Sequence, residues 1–366
     1  MQQLRVVIAG GGTGGHVVPA LAIGRELRDK HGAEVLFVGT ARGLETKLVP
    51  KAGFRLELVR SGQLKNVSLA TQLRTMLDLP LGVAECVRLI RRFRPQVVVG
   101  VGGYASGPGM LAAILLRVPT VAFEPNAVPG LANRLVGRWV NAAAVNFEQT
   151  MRYFRNATVT GIPVRAEFFA IAPKPEGSAR RLLVFGGSLG ARVLNEAMPK
   201  IAGRLLKQFD DLEIVHQTGG RHGEATAKAY AAAGLIGERV ERRVRVQPYL
   251  DDMPSEFAAA DLMLCRSGAS TVAELGAAGK ASLLVPFAQA ADDHQRRNAE
   301  VFRDAGAARM LTEAELTSPE VLLDELVELL GDPEALRVMG ERARTLARPE
   351  AVREIAAMVV NLAHKG

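Results

Sequence analysis

Five segments hold the residues of this 366-residue chain whose types and spacing suit chemistry. GGGTGGH (10–16) satisfies G-x-G-x-x-G through Gly10, Gly12 and Gly15. Glycines at that spacing let backbone amides approach a diphosphate at a helix N-terminus; the alternative is a tight strand-to-helix turn. Thr13, Gly14 and Gly15 form its tip and His16 closes it. A neutral imidazole at that position can take a proton from a hydroxyl near pH 7; the bland alternative is a histidine bonded to the loop backbone. GVGGYASGPG (100–109) is a second glycine loop, with Tyr104 and Ser106 as its polar members, and a close-packed turn is its alternative. FEPNAVPG (123–130) offers Glu124 and Asn126 for sugar contacts, against a turn-forming Asn beside Pro. FGGSLGAR (185–192) offers Ser188 and loop amides to a phosphate, and lacks the Lys-Ser/Thr of a P-loop.

The segment CRSGASTVAELGAAGKASLLVPFAQAADDHQ (265–295) is the most informative. A strand ends, and Ser, Gly, Ser and Thr open a helix whose free amides and dipole suit an anion. Glu274 lies three residues after Thr271. That spacing is either a capping box or places a carboxylate to accept two ribose hydroxyls. Asp293, His294 and Gln295 open another polar loop after the next strand, and adjacent strands would bring both loops to one ligand. Metal chemistry is disfavoured, because Asp251-Asp252 and Asp292-Asp293 are adjacent pairs and no His/Cys cluster has zinc-ligand spacing. No G-x-S-x-G elbow is present. A nicotinamide cofactor is disfavoured as well: the second strand ends VGTARG (38–43) without the ribose-binding acid, and Glu34 stands at its wrong end.

These loops need a scaffold of parallel strands. Apolar runs at 4–10, 34–39, 96–102 and 119–124, then at 181–187, 213–219, 244–250, 261–265 and 281–287, alternate with helical stretches. That alternation predicts parallel α/β architecture with strands covered on both faces. Both halves begin with an apolar strand, a glycine loop and a helix, VVIAGGGTGGH and LLVFGGSLGAR. The expected fold is two Rossmann-like doubly wound domains facing each other across a cleft, 1–165 and 166–348, with a final helix near 349–366 packing back on the first.

Composition narrows the class. Apolar residues make up 48% and charged residues 23%, which excludes a disordered chain. Cys86 and Cys265 cannot form a disulfide framework, which suits a reducing compartment, and the opening MQQLRVVIAGGG has no signal-peptide pattern. The 22 residues from Pro95 to Leu116 carry no charge, yet their five glycines and two prolines read as strand, loop and helix start rather than a membrane span. Residues 1–165 hold 21 Lys/Arg against 9 Asp/Glu, a net of +12, and residues 166–366 hold 25 against 29, a net of −4. The basic half should face something anionic. Between residues 60 and 94, Arg60, Lys65, Arg74, Arg88, Arg91, Arg92 and Arg94 interleave with aliphatic residues, Leu64, Val67, Leu69, Leu73, Leu77 and Leu81 among them. Pro80 is expected to break any continuous helix there. An anionic membrane surface or a solvated helix pair both fit the pattern; nucleic acid does not, with Phe93 the one aromatic and no recognised module.

Taken in order, AGGGTGGHVVPA, VGVGGYASGPG, EPNAVPGLANR, GIPVR, GGSLGAR and CRSGASTVAELGAAGKASLLVPF followed by DDHQRRNA resemble the MurG family over nearly the whole chain. These are inverting GT-B glycosyltransferases that add N-acetylglucosamine to the 4-hydroxyl of the lipid-linked muramyl-pentapeptide precursor of peptidoglycan. The resemblance implies that the second domain binds UDP-N-acetylglucosamine. Leu250 would meet the uracil through its backbone, Glu274 the ribose, and Ser188 with Ala269, Ser270 and Thr271 the diphosphate, with Val272 and Ala273 also among the substrate-binding residues. Gln295, or alternatively Gln289, would meet the sugar, with Arg165 near the nucleotide. The first domain would bind undecaprenyl-diphosphate-muramyl-pentapeptide through Thr13–Gly15 and Gly102–Gly103, with Asn126 facing the donor sugar. His16 is the expected base, Glu124 its alternative, and Tyr104 would orient the acceptor. Surface 64–92 would rest on the cytoplasmic leaflet of the bacterial plasma membrane as a peripheral anchor. No cofactor, no metal and no nucleic-acid partner are implied. Where the family usually reads His-Glu-Gln-Asn, this chain reads Phe123-Glu124-Pro125-Asn126. The rival readings are a UDP-N-acetylglucosamine 2-epimerase-like or other GT-B enzyme, and a non-catalytic UDP-sugar-binding protein.

Overall fold

The computed structural model describes residues 3–61, 69–175, 177–236 and 243–364, and of 69–77 the backbone alone. Leu64, Lys65 and Val67 of the basic stretch lie outside the described residues. The chain divides into two units, Met1–Pro163 with Arg348–Gly366, and Val164–Ala347, so Arg165 belongs to the second.

The strands of the first unit are β1 (Arg5–Ala9), β2 (Glu34–Gly39), β3 (Arg55–Leu58), β4 (Val97–Gly100), β5 (Thr120–Glu124), β6 (Ala142–Val145) and β7 (Ala157–Val159). They form one parallel sheet in the order β3-β2-β1-β4-β5-β6-β7. The second unit carries β8 (Arg181–Phe185), β9 (Glu213–Gln217), β10 (Val244–Gln247), β11 (Leu262–Cys265), β12 (Ala281–Leu284) and β13 (Ala308–Met310). Its order, β10-β9-β8-β11-β12-β13, repeats the first six positions of the other sheet. The central strands are apolar without alternation because helices cover both faces: Val6, Val7, Ile8 and Ala9 of β1 and Leu182, Leu183 and Val184 of β8 are buried.

One expectation is corrected here. Helix Leu69–Phe93 runs through Pro80 without a break. A proline inside a helix removes one backbone bond and costs about 3 kcal/mol. Contacts beyond it offset that cost. The helix packs on Ser106–Leu115. Gly82 lies so close to the chain after β3 that a Cβ would stand 2.0 Å from the Arg60 carbonyl oxygen. Glu85 accepts the Arg60 N–H at 2.8 Å and pairs with its guanidinium at 3.2 Å. At the other end of the chain, helix Ala351–Ala363 packs on Gly14–His31 and β4, within the first unit.

The core of the second unit contains a closed polar network. His216 on β9 is fully buried, with Nδ1 3.0 Å from the Tyr230 hydroxyl and Nε2 3.0 Å from Asn195 Oδ1. The Asn195 amide donates to the Thr218 carbonyl at 2.9 Å, so its oxygen faces the ring, Nε2 carries the proton and Nδ1 accepts from Tyr230. Burial pushes this histidine down to about 3, which keeps it neutral. The unfolded ring takes a proton near pH 6.5, so the unfolded chain binds more protons between that value and 3. The network's stability is therefore complete above pH 6.5 and is lost as the pH falls towards 3. Denaturant titrations should show the unfolding free energy of the parent dropping faster than that of His216→Gln below pH 6.5. The difference should reach up to about 1.4 kcal/mol per pH unit, and parallel curves would exclude this account.

Candidate functional site

In each sheet the strand order reverses between two neighbours, β1 with β4 and β8 with β11. Chains leaving those carboxyl ends diverge, and open α/β sheets take ligands there. The chemistry-bearing loops of each unit follow these strands and their neighbours.

In the first unit the loop after β1 is stitched to the loop after β4. Gly11 N–H donates to the Gly102 carbonyl at 3.2 Å. A Cβ at Gly103, where φ is 79°, would lie 2.0 Å from the Gly11 oxygen, so no other residue fits. Thr13 is the N-cap of helix Gly14–His31, yet its hydroxyl makes no capping bond and the first turn holds no acid. The hydroxyl lies instead 3.2 Å from His16 Nδ1. The far edge of the His16 ring borders Gly102, where a Cβ would be 2.9 Å from Nε2. Tyr104 is partly exposed and its ring edge flanks Gly12. Ser106, in contrast, is wholly buried, its Oγ without a hydrogen-bond partner.

Glu124 ends β5 beneath its own loop. One carboxylate oxygen accepts from the Asn126 N–H at 3.0 Å and the Asn126 side chain at 3.1 Å; the other accepts from the Gly130 N–H and the Asn133 side chain, both at 3.0 Å. Burial raises its pKa, and the four donors oppose that rise. The carboxylate thus fixes the shape of loop 125–130 and holds Asn126 in place. Phe123 and Pro125, the two departures from the family pattern, are buried scaffold.

In the second unit, loops Gly187–Gly190, Thr218–Gly219 and Pro248–Leu250 are joined to one another. Gln217, itself buried, donates to the Gly187 carbonyl at 3.1 Å and accepts the Leu250 N–H at 3.0 Å. The Leu250 amide is therefore occupied, leaving its carbonyl as the backbone group for a base. A Cβ at Gly190 would lie 1.8 Å from the Thr218 oxygen. Ser188 and Leu189 stand exposed above this knot.

Helix Ala269–Ala278 begins at Gly268, with no side-chain cap and no acid or base in its first turn. Ala269, Ser270, Thr271, Val272 and Ala273 form its opening. Ser270 Oγ is buried without a partner. A capping box between Thr271 and Glu274 is ruled out, because the cap is three residues upstream of Thr271. Glu274 lies one turn further along. Among the described residues its carboxylate makes no hydrogen bond or ion pair; burial raises it to about 7, and the positive field of Arg165 acts against this. Gln295 accepts the Phe287 N–H at 3.0 Å, and its carbonyl accepts from Ser267 at 2.8 Å, joining the loops after β11 and β12. Gln289 is exposed. Asp292 and Asp293 turn this loop with left-handed φ of 53° and 56°. Among the described residues no three His, Cys, Asp or Glu side chains gather into a metal-ligating group.

Four supporting side chains were not singled out by their spacing: Glu45, Gln217 and Asn195 lie outside the motifs, and Arg266 lies within CRSGAS. Arg266, almost completely buried, donates to the carbonyls of Val285 and Pro286 at 3.0 and 3.1 Å and pairs with Glu313 at 2.5 Å. Each of the four acts on loop backbone, a role for which sequence spacing carries no signal.

Two parallel Rossmann-like units of matching strand order, with anion-suited loops at both reversals, define the GT-B class of glycosyltransferases. The chain belongs to glycosyltransferase family 28: residues 6–145 match the family's N-terminal domain and residues 181–355 its C-terminal domain. It is 44% identical over 98% of its length, and 96% of the relative's, to the UDP-N-acetylglucosamine–N-acetylmuramyl-(pentapeptide) pyrophosphoryl-undecaprenol N-acetylglucosamine transferase of Solibacter usitatus. The Myxococcus xanthus transferase of the same name is also 44% identical, over 98% of this chain and 93% of that one. The crystal structure of Acinetobacter baumannii MurG superposes with a TM-score of 0.81 at 31% identity, covering 98% of this chain and 99% of that one. The UDP-GlcNAc 2-epimerase of Neisseria meningitidis, at 13% identity and a TM-score of 0.67 over 98% of this chain and 100% of that one, shares the fold.

Proposed function

We propose that the chain transfers N-acetylglucosamine from UDP-N-acetylglucosamine to the 4-hydroxyl of undecaprenyl-diphosphate-linked muramyl-pentapeptide. The observation that carries this reading is the pairing of an uncapped helix start and a buried, unpartnered Ser270 hydroxyl with the unbonded carboxylate of Glu274 one turn on. Polar groups left unmade in a protein interior cost free energy unless a ligand completes them. A diphosphate suits the amides and the hydroxyl, and a ribose diol suits the carboxylate. The relatives' names supply the sugar and the acceptor.

In this reading Ser188 and the amides of Ala269–Thr271 hold the diphosphate, the Leu250 carbonyl meets the uracil, and Arg165 supports the nucleotide. Val272 and Ala273 continue the helix beneath it, and Gln295 meets the sugar. Thr13, Gly14 and Gly15 take the acceptor diphosphate, Tyr104 orients the muramyl sugar, and Asn126 faces the donor sugar. The acceptor oxygen forms its bond to the anomeric carbon as the bond to the UDP oxygen breaks, inverting the centre. The hydroxyl proton passes to His16. Glu124 suits that task less, because both of its oxygens already accept two N–H groups. The charge that develops on the departing diphosphate meets the helix N-terminus.

A membrane surface is the proposed resting place of the first unit. Leu111, Leu115, Leu135 and Trp139 are exposed, Trp139 at 67%, beside exposed Arg117, Arg134 and Arg138. They lie on Ser106–Leu115, on Leu131–Val136 and just after each, and the first of these helices packs on Leu69–Phe93, which exposes Leu81, Arg88, Arg91 and Arg92. No described helix is long and apolar enough to cross a membrane. Basic and aliphatic side chains together suit an anionic leaflet.

Three outcomes are expected. Label from UDP-N-acetylglucosamine should enter a lipid-linked muramyl-pentapeptide acceptor, and His16→Ala should lower kcat by about 10²–10⁴-fold with donor affinity intact; undiminished turnover would move the base elsewhere. Because Glu274 must shed its proton before accepting the ribose hydroxyls, UDP-N-acetylglucosamine should bind roughly tenfold more tightly at pH 8 than at pH 6 by calorimetry. Glu274→Gln should bind weakly with no such slope, and an unchanged slope would rule the ribose role out. Trp139 is the sole tryptophan of the chain, so anionic vesicles should shift its emission to the blue, and neutral vesicles or high salt should not.

A further inference from the structure

Glu45 stands at the start of helix Glu45–Lys51, after β2, and is almost completely buried. Its carboxylate faces backwards into the glycine loop after β1. One oxygen accepts the Gly12 N–H at 2.7 Å; the other accepts the Thr40 N–H at 2.9 Å and the Thr40 hydroxyl at 3.1 Å. The Gly12 carbonyl in turn accepts from the Leu44 N–H at 3.1 Å. The peptide group on each side of Gly12 is therefore held by residues 44 and 45. Three glycines leave room for this carboxylate: a Cβ at Gly11, Gly39 or Gly43 would lie 2.4, 2.5 or 1.9 Å from its atoms.

A buried acid beside an anion site would ordinarily repel the anion, and here its geometry explains its presence. Gly12 immediately precedes Thr13, Gly14 and Gly15. Left unheld, a glycine with φ of 95° has wide freedom, and the amides that follow it would point in many directions. A carboxylate has two acceptor oxygens, one for the loop and one for Thr40. Glutamine has one oxygen and would present an N–H to an N–H. Three donors, the Gly12 and Thr40 N–H groups and the Thr40 hydroxyl, meet the carboxylate.

We propose that Glu45 is a positioning residue for acceptor binding: it fixes Gly12 so that the Thr13–Gly15 amides converge on the diphosphate of the lipid acceptor. This rests on the acceptor reading given above. It is the first unit's counterpart to Gln217, which braces the loops of the second.

The test is steady-state kinetics of full-length Glu45→Gln and Gly43→Ala, which displace the same carboxylate in two ways. Both displacing variants should raise the KM for the lipid acceptor at least tenfold while the KM for UDP-N-acetylglucosamine stays within twofold of the parent. A purely structural role would lower kcat in proportion to folded enzyme and leave both KM values alone, and that result overturns the proposal. Hydrogen exchange of the peptide spanning residues 10–16 gives a second readout that needs no turnover. Faster exchange in Glu45→Gln, with exchange in the second unit unchanged, supports the brace; unchanged exchange at 10–16 overturns it. If the parent itself transfers no sugar, the functional reading fails separately, and the exchange experiment still decides whether Glu45 holds the loop.

Discussion

The construction at each strand reversal turns on backbone meeting backbone at distances that admit no side chain. Gly103 faces the Gly11 oxygen and Gly190 faces the Thr218 oxygen, with 2.0 and 1.8 Å left for a Cβ. Two loops packed that closely have few atoms to offer a ligand other than peptide N–H groups. The absence of side chains is therefore part of the chemistry: it lets a diphosphate come within reach of amides at a helix start, where the dipole is favourable. The same closeness makes each loop conformationally permissive, because glycine restrains little. Something outside the loop has to set its shape.

That role falls to buried polar side chains, one or more behind each loop. Glu45 holds Gly12, Glu124 holds the 125–130 turn, Gln217 ties Gly187 to Leu250, and Asn195 with His216 backs Thr218. Each has hydrogen-bond partners in the backbone or in other polar side chains, which explains why such groups tolerate burial. Glu274 and Ser270 are the contrast. Their side chains bond nothing among the described residues.

The sequence displayed the two-fold α/β plan because central strands buried on both faces are long apolar runs. β3, β6, β7 and β13 went unseen for the complementary reason. RLEL alternates charge with leucine, AAAV has little hydrophobic signal, and ATV and ARM are three residues long. All four lie toward the sheet edges. Helix 69–93 defied its proline because tertiary contacts outweigh a local rule. In the site, glycine loops and the hydroxyl-rich helix start were legible, as their chemistry demands particular residues at particular spacings. Their braces were not, since an inward carboxylate such as Glu45 looks in sequence like any acid at a helix start.

Charge is apportioned by the same logic. The loops that follow β1, β4 and β5 contain no lysine or arginine, although the half that holds them carries a net of +12. In the second unit Arg266 adjoins the uncapped helix, yet its guanidinium is turned onto two carbonyls and Glu313. Full charges near a glycine loop would bind any phosphate strongly and hold a diphosphate product as firmly as a substrate. Amides and a helix dipole are weaker and more directional, which suits a group that must be gripped most when charge develops on it and then released. Arg117, Arg134 and Arg138 of the first unit stand exposed on its outer surface, away from these loops in sequence. In the first unit, then, glycine marks the loops at the strand reversal, and arginine falls elsewhere along the chain.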